Sequence, residues 1–321
     1  MTVKEAVLTE LLDNRDQILS GEALAASLGV SRSAVWKAIG QLRAEGYRIE
    51  AGTNRGYCLT GGDVLSREGI RSFLTTEGLD IQVYNRVGST NTLLKAWAED
   101  GCPEGTVAVA EEQTAGRGRR GRSFYSPPGS GLYLSILLRP RESAEAALPI
   151  TTAAAVAAAE AIEALSGRET QIKWVNDVLL DGKKVCGILT EASLDVESGG
   201  LNYAIVGVGI NALPPVGGFP EELREIAASV FERFDRPDLR CRLAAALLDR
   251  FFHHYRTLNS DECFAAYQRR CLVLGRRVTV LRGGTAVADA EVLSLERDYS
   301  LRVRYDDGTE ELLNSGEVSV L

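Results

Sequence analysis

Four arginines fall between residues 117 and 122, threaded through Gly116-Arg-Gly118-Arg-Arg-Gly121. The letters satisfy G-x-G-x-x-G. Yet Pro127-Pro128-Gly129 follows closely, and that run cannot open the helix a dinucleotide-binding turn requires. Nor is a single short tract between two strands a repetitive RNA-binding arginine–glycine segment. Two readings stay open on spacing alone: a loop whose glycines allow close approach while its arginines hold anions, or a solvated basic hairpin tip.

Three other stretches carry groups of the same chemical kind. Lys173-Trp-Val-Asn176-Asp177 sets a cation, an amide and a carboxylate at a strand end, a trio able to serve phosphate and Mg²⁺ together. Gly207-Val-Gly209-Ile-Asn211 ends a strand with glycines for close approach and an amide for a nucleotide. Lys183-Lys184-Val-Cys-Gly187 begins the second arm of a hairpin turned by Asp181-Gly182. Each alone is weak, since such residues are commonplace at turns and strand starts. The chain's 2 histidines, His253 and His254, are adjacent, so they point apart on a helix, and a zinc site or His-based triad is not expected. The 6 cysteines, without a C-x-x-C pair, read as reduced thiols.

The elements that position these groups follow from periodicity. Residues 1–62 read as helix, helix, turn, helix and hairpin. Ser31 caps a helix whose Val35, Ile39 and Leu42 form the buried stripe, leaving Arg32, Ser33, Trp36 and Lys37 on the other face. Arg55 tips the hairpin between Arg48-Ile49-Glu50 and Tyr57-Cys58-Leu59. This is a winged helix-turn-helix arrangement, for which DNA binding through Ser31, Arg32, Ser33, Trp36, Lys37 and Arg55 is favoured over a helical protein-interaction module. Gly61-Gly62-Asp63 reads as a linker. Strands and helices then alternate to residue 270 in an α/β domain with a mixed sheet, with helices expected after Ser66, from Thr90, from Pro149, from Pro220 and across 237–257. Residues 271–321, short alternating strands and turns, predict a small β barrel.

A net charge of −8 means that no global field draws the chain to nucleic acid or an anionic membrane, so DNA binding has to be local. The apolar run at 148–165 is Ala-rich and carries Glu160 and Glu163, which reads as a packed helix rather than a span. With an amphipathic, charged N-terminus, a cytoplasmic location without membrane association is expected.

Ser89-Thr90-Asn91, Gln113-x-x-Gly116-Arg-Gly-Arg-Arg-Gly121, Lys173-Trp-x-Asn-Asp177, Lys184-x-x-Gly187-Ile-Leu and Gly207-x-Gly-Ile-Asn211, in this order, resemble the bifunctional biotin–protein ligase and biotin operon repressor family. The resemblance covers the whole chain. It implies a winged helix-turn-helix at 1–62, a class II synthetase-like ligase domain at 63–270 and an SH3-like barrel at 271–321. It implies biotin and ATP as substrates, Mg²⁺, and biotinyl-5′-AMP as both intermediate and corepressor. An apo biotin carboxyl carrier protein, operator DNA and a second copy of the chain in an adenylate-bound homodimer are the implied partners.

By the same resemblance, biotin is bound by Ser89, Thr90, Asn91, Gln113, Gly116, Arg117, Gly118, Arg119, Lys184 and Gly187. Arg117, Arg119 and Lys184 are the implied catalytic groups. Arg120, Arg122, Phe124, Lys173, Asn176 and Asn211 serve ATP and the adenylate, and Asp177 serves Mg²⁺. Lys184 is preferred to Lys183 because it directly precedes Val-Cys-Gly-Ile-Leu. The 115–125 loop is expected to be mobile when empty and ordered over ligand. Two departures bear on nucleotide affinity: Val175 replaces the family's usual proline, which would loosen the turn, and Phe124 stands where many members have Trp. Other readings are a ligase with a non-regulatory DNA-binding domain, a ligand-sensing repressor without catalysis, and a lipoate ligase or transferase.

Overall fold

The structure, a computed structural model, describes residues 1–52, 56–140, 147–194, 200–233, 237–258, 260–283, 285–314 and 317–320. The chain divides into two compact units, residues 1–77 with 233–246, and 78–232 with 247–321.

In the first unit α1 (Val3–Asp13) opens with a capping box in which Thr2 and Glu5 satisfy each other's backbone N–H groups. Serine caps start α2 (Gly21–Ser27) and α3 (Arg32–Ala44), each accepting from a backbone N–H three residues on. Strands β1 (Arg48–Gly52) and β2 (Gly56–Gly61) pair antiparallel as the wing. Apolar residues of all three helices, among them Leu8, Leu11, Leu24, Val35, Ile39 and Leu42, join Ile49 and Leu59 in one core. Arg55 lies outside the described residues.

The segment read as a linker is fixed. Asp63 and Arg240 form an ion pair at 2.5 Å with side chains 5% and 4% exposed, and Tyr47 donates to Ser66 Oγ at 2.7 Å. So Asp63 is tied to the start of α7 (Leu239–Arg256), while α4 (Arg67–Arg71) completes the unit.

The second unit is built on a seven-stranded mixed sheet. Its strands are β3 (Asp80–Tyr84), β4 (Thr106–Ala110), β5 (Gly131–Leu138), β6 (Gln171–Lys173), β7 (Asp177–Leu180), β8 (Lys183–Leu194) and β9 (Leu201–Asn211), in the spatial order β3-β4-β5-β9-β8-β7-β6. Only β3 and β4 run parallel; the other neighbours are antiparallel, as the Asp181-Gly182 turn requires of β7 and β8. Helix α5 (Thr90–Glu99) packs on β4, β5 and β9, and α6 (Ala147–Ser166) on β8, β9, β6 and β7. By length and composition α6 is apolar enough to cross a bilayer, yet its residues from Ile150 to Ala159 are all buried inside the protein.

Two helix expectations change. From Pro220 there is only a 3₁₀ turn, Glu221–Leu223, because the chain beyond it runs beside β8: Lys184 N–H donates to Ile226 O at 2.8 Å, and Ala228 N–H to Lys184 O at 3.0 Å. Conversely, Asp261–Arg270 forms α8, capped by Ser260. The C-terminal strands β10 (Arg277–Arg282), β11 (Thr285–Leu295), β12 (Leu301–Tyr305), β13 (Glu310–Leu313) and β14 (Glu317–Val320) form one antiparallel sheet ordered β13-β12-β11-β10-β14. Among the described residues its edges do not pair, so it is an open sheet and not a closed barrel.

Candidate active site

Strand register decides which side chains meet. Asp177 pairs with Gly187 and Leu179 with Lys184, so a bulge at Val185 leaves Lys184 in phase with Gly187, Leu189 and Glu191 on one face of β8. Gly187 and Leu189 lie beside Gly209 and Gly207 of β9, which in turn lie beside Tyr133 and Ser135 of β5. The floor of the site is therefore a patch of glycines across adjacent strands. A Cβ at Gly207 would come within 2.1 Å of Asn91 Oδ1, and one at Gly209 within 2.5 Å of the Phe124 ring, so both places require glycine.

A cavity over this floor is lined by Ser89, Thr90, Asn91 and Gln113, by Arg117, Gly118, Arg119 and Phe124 of the loop, and by Asn176, Lys184 and Gly187. Apolar Leu134, Ile188, Leu189 and Val208 complete the lining; sequence reasoning missed these, although Ile188 and Val208 alternate with the glycines of their strands. One end of the cavity is fixed by a buried hydrogen-bond chain. Gln113 Oε1 accepts from Thr90 N–H at 2.9 Å and from its hydroxyl at 3.1 Å, while Ser135 donates to Asn91 Oδ1 at 2.6 Å with its Oγ 2.7 Å from Thr90 Oγ1.

Three cations line the same cavity, each with an oxygen partner. Lys184 Nζ lies 2.6 Å from Asp177 Oδ1, Arg119 Nη1 donates to Asn176 Oδ1 at 3.0 Å, and Arg117 Nη1 lies 2.9 Å from Glu191 Oε1. Lys183 turns away and donates to Arg224 O at 2.9 Å. Burial pushes the Cys186 thiol well up from its ordinary range, so no thiolate nucleophile stands beside Lys184. The groups present can hold anions and stabilise developing negative charge; they do not form a nucleophile–base pair.

The arginine loop closes on itself. Gly118 N–H donates to Arg122 O at 2.7 Å, Phe124 N–H to Gly116 O at 2.9 Å, and Arg120 takes a left-handed φ of 56°. Gly116, Arg120, Arg122, Lys173 and Asn211 do not line the cavity: Asn211 instead donates to Ala228 O at 3.2 Å, and Lys173 pairs with Asp177 across β6 and β7. At the Val175 turn, Tyr267 donates to the Val175 carbonyl at 3.2 Å and Trp174 Nε1 donates to Tyr299 O at 2.8 Å. On α3, Arg32, Ser33, Trp36 and Lys37 are exposed, Trp36 by 71%, while Ser31 is spent as the cap, accepting from Ala34 N–H at 3.2 Å.

Residues 83–211 match the Biotin/lipoate A/B protein ligase family, and residues 3–58 match an HTH domain family. The fold and site are thus of the ligase class, joined to a helix-turn-helix. Among relatives, the bifunctional ligase/repressor BirA of Bacillus spizizenii is 41% identical over 227 residues, spanning 68% of this chain and 69% of that protein. The Escherichia coli protein of the same name is 35% identical over 60% of this chain and 59% of its own. Biotin protein ligase from Aquifex aeolicus, solved in complex with biotin and ATP, superposes with a TM-score of 0.61 at 27% identity, covering 75% of this chain and 98% of that one. The chain belongs to the BirA family of biotin–protein ligases.

Proposed function

We propose that the chain joins biotin to a lysine of a carrier protein at the expense of ATP and, through its helix-turn-helix, represses transcription in response to biotin. The observation that carries the ligase reading is that Arg117, Arg119 and Lys184 line one glycine-floored cavity together with the hydrogen-bonded Thr90 and Gln113. In the first step a biotin carboxylate oxygen attacks the α-phosphorus of ATP, the bond to the bridging α–β oxygen breaks, and pyrophosphate leaves with that electron pair. In the second, a neutral lysine amine of the carrier attacks the carbonyl carbon of the mixed anhydride. The amide forms, the amine loses its proton, and AMP departs.

Both steps bring anions together and build charge on phosphate oxygens, so cations supply most of the catalysis. Thr90 and Gln113 orient the biotin ring system, and the apolar lining holds its tail. Arg117 and Arg119 hold the carboxylate and then the adenylate phosphate, Lys184 bridges carboxylate and α-phosphate, and Phe124 offers the adenine an aromatic face. Asn176 serves the nucleotide. Mg²⁺ enters as part of MgATP: Asp177 and the Asn176 side chain offer hard oxygens beside the phosphates, and the described residues hold no cluster of three His, Cys, Asp or Glu for a resident ion.

We assign DNA contact to residues 1–62, catalysis to 63–270 and a supporting β module to 271–321. The acceptor is an apo biotin carboxyl carrier domain, and ATP and DNA as partners put the reaction in the cytoplasm. Biotinyl-5′-AMP acts as corepressor by favouring a homodimer that sets two copies of α3 on a two-fold operator. Biotin-dependent exchange of labelled pyrophosphate into ATP is the expected first half-reaction, and exchange no faster than a biotin-free control would contradict it.

A further inference from the structure

We propose that Glu191 is a positioning residue for this reaction: its carboxylate holds Arg117 over the pocket of the empty enzyme and yields the arginine to the ligand's anionic group. The proposal rests on the ligase reading above. Glu191 shares the site face of β8 with Gly187 and Leu189. Its two oxygens lie 2.9 and 3.1 Å from Arg117 Nη1, and Oε2 also accepts from Asn91 Nδ2 at 2.9 Å.

The two ends of this bridge differ in mobility. Asn91 is locked into the sheet: Ser135 donates to its Oδ1, its Nδ2 also donates to Leu189 O at 3.2 Å, and it fills the space over Gly207. Arg117 instead sits on the loop that closes on itself, Gly118 N–H donating to Arg122 O and Phe124 N–H to Gly116 O. Glu191 therefore ties a loop cation to a rigid point. The tie is also exchangeable. The arginine side chain is 47% exposed and the carboxylate 29%, so the pair is weak, unlike a buried one that would resist displacement. A guanidinium donates to a substrate carboxylate or phosphate as it donates to Glu191. Glu191 supplies Arg117 with the group that a bound ligand would supply in its place, and release of the arginine leaves the carboxylate on Asn91.

The loop reports on itself, because Arg117, Arg119, Arg120 and Arg122 are sites for trypsin. Glu191→Gln keeps an acceptor for Asn91 and removes the charge. Without ligand, its loop is expected to be cut about two- to fivefold faster than in the unaltered full-length protein, the range a half-exposed ion pair supports. With saturating biotin and MgATP the two proteins are expected to be cut equally slowly, since Arg117 has changed partner. Arg117→Ala should be cut at its remaining arginines at the faster rate, and adding Glu191→Gln to it should change nothing further. Equal rates without ligand, a faster rate for Glu191→Gln in both states, or additive effects in the double variant would each overturn the proposal. The ligand-free comparison needs no substrate, so it decides on Glu191 by itself. Failure of biotin and MgATP to protect the unaltered protein would count against the ligase reading instead.

Discussion

The choice between Lys183 and Lys184 turns on one bulged residue. Neighbouring letters favour Lys184, but the physical reason is the extra residue Val185, which returns Lys184 to the face of Gly187 and leaves Lys183 on the opposite one. No local pattern in Lys-Lys-Val-Cys-Gly announces that bulge. Glu191 is hidden for a related reason: a glutamate late in a half-exposed strand looks ordinary until Arg117 is folded against it. Lys184→Ala is expected to slow pyrophosphate exchange by about 10²-fold or more, the scale of losing a group that meets developing charge. The melting temperature should hardly move, because its pair with Asp177 is partly exposed, at 36% and 27%. Lys183→Ala should exchange at close to the unaltered rate; the reverse ranking would move the catalytic role to Lys183.

Elements were legible where caps and periodicity agree. Serine caps mark α2, α3 and α4, and alternation with a two-residue turn marks β7 and β8. The helix expected from Pro220 fails because residues 226–228 find partners on β8, a long-range pairing that outweighs local propensity. In α8 the signals are present, with Ser260 as the cap, Asp261 and Glu262 in the first turn and Arg269 and Arg270 in the last. How α7 is held to α6 carries a pH dependence. His254 is 1% exposed and its Nε2 lies 3.0 Å from Glu160 Oε2. Burial works against the imidazolium, but Cys263 and Glu160 beside the ring outweigh it and raise its pKa to about 9. A raised folded-state pKa contributes stability that is complete below the ordinary value of about 6.5 and is lost as pH rises through about 9. Thermal melts are therefore expected to fall by a few degrees between these limits, and His254→Gln should flatten that slope; an unchanged slope would show that the pair does not titrate in this range.

At the scale of the whole chain, an acidic protein carries a DNA-reading helix and an anion-holding pocket in separate compact units. With a net charge of −8, binding to DNA has to rest on a local basic face, which we propose includes Arg32, Trp36 and Lys37, and should weaken steeply with salt. Footprinting is expected to show protection of a palindrome with biotinyl-5′-AMP and little without it; equal protection in both would leave the DNA-binding unit deaf to the pocket. What one sequence could not supply is how the strands bring Asn91, Glu191 and Arg117 together from positions 74 and 100 residues apart. The most direct test is the mass of an apo biotin carboxyl carrier domain after incubation with this protein, biotin and MgATP. The account predicts the addition of one biotin, less the water lost in forming the amide, on a single lysine, and dependent on ATP. An unchanged carrier mass under conditions where a known biotin ligase modifies the same domain would contradict it.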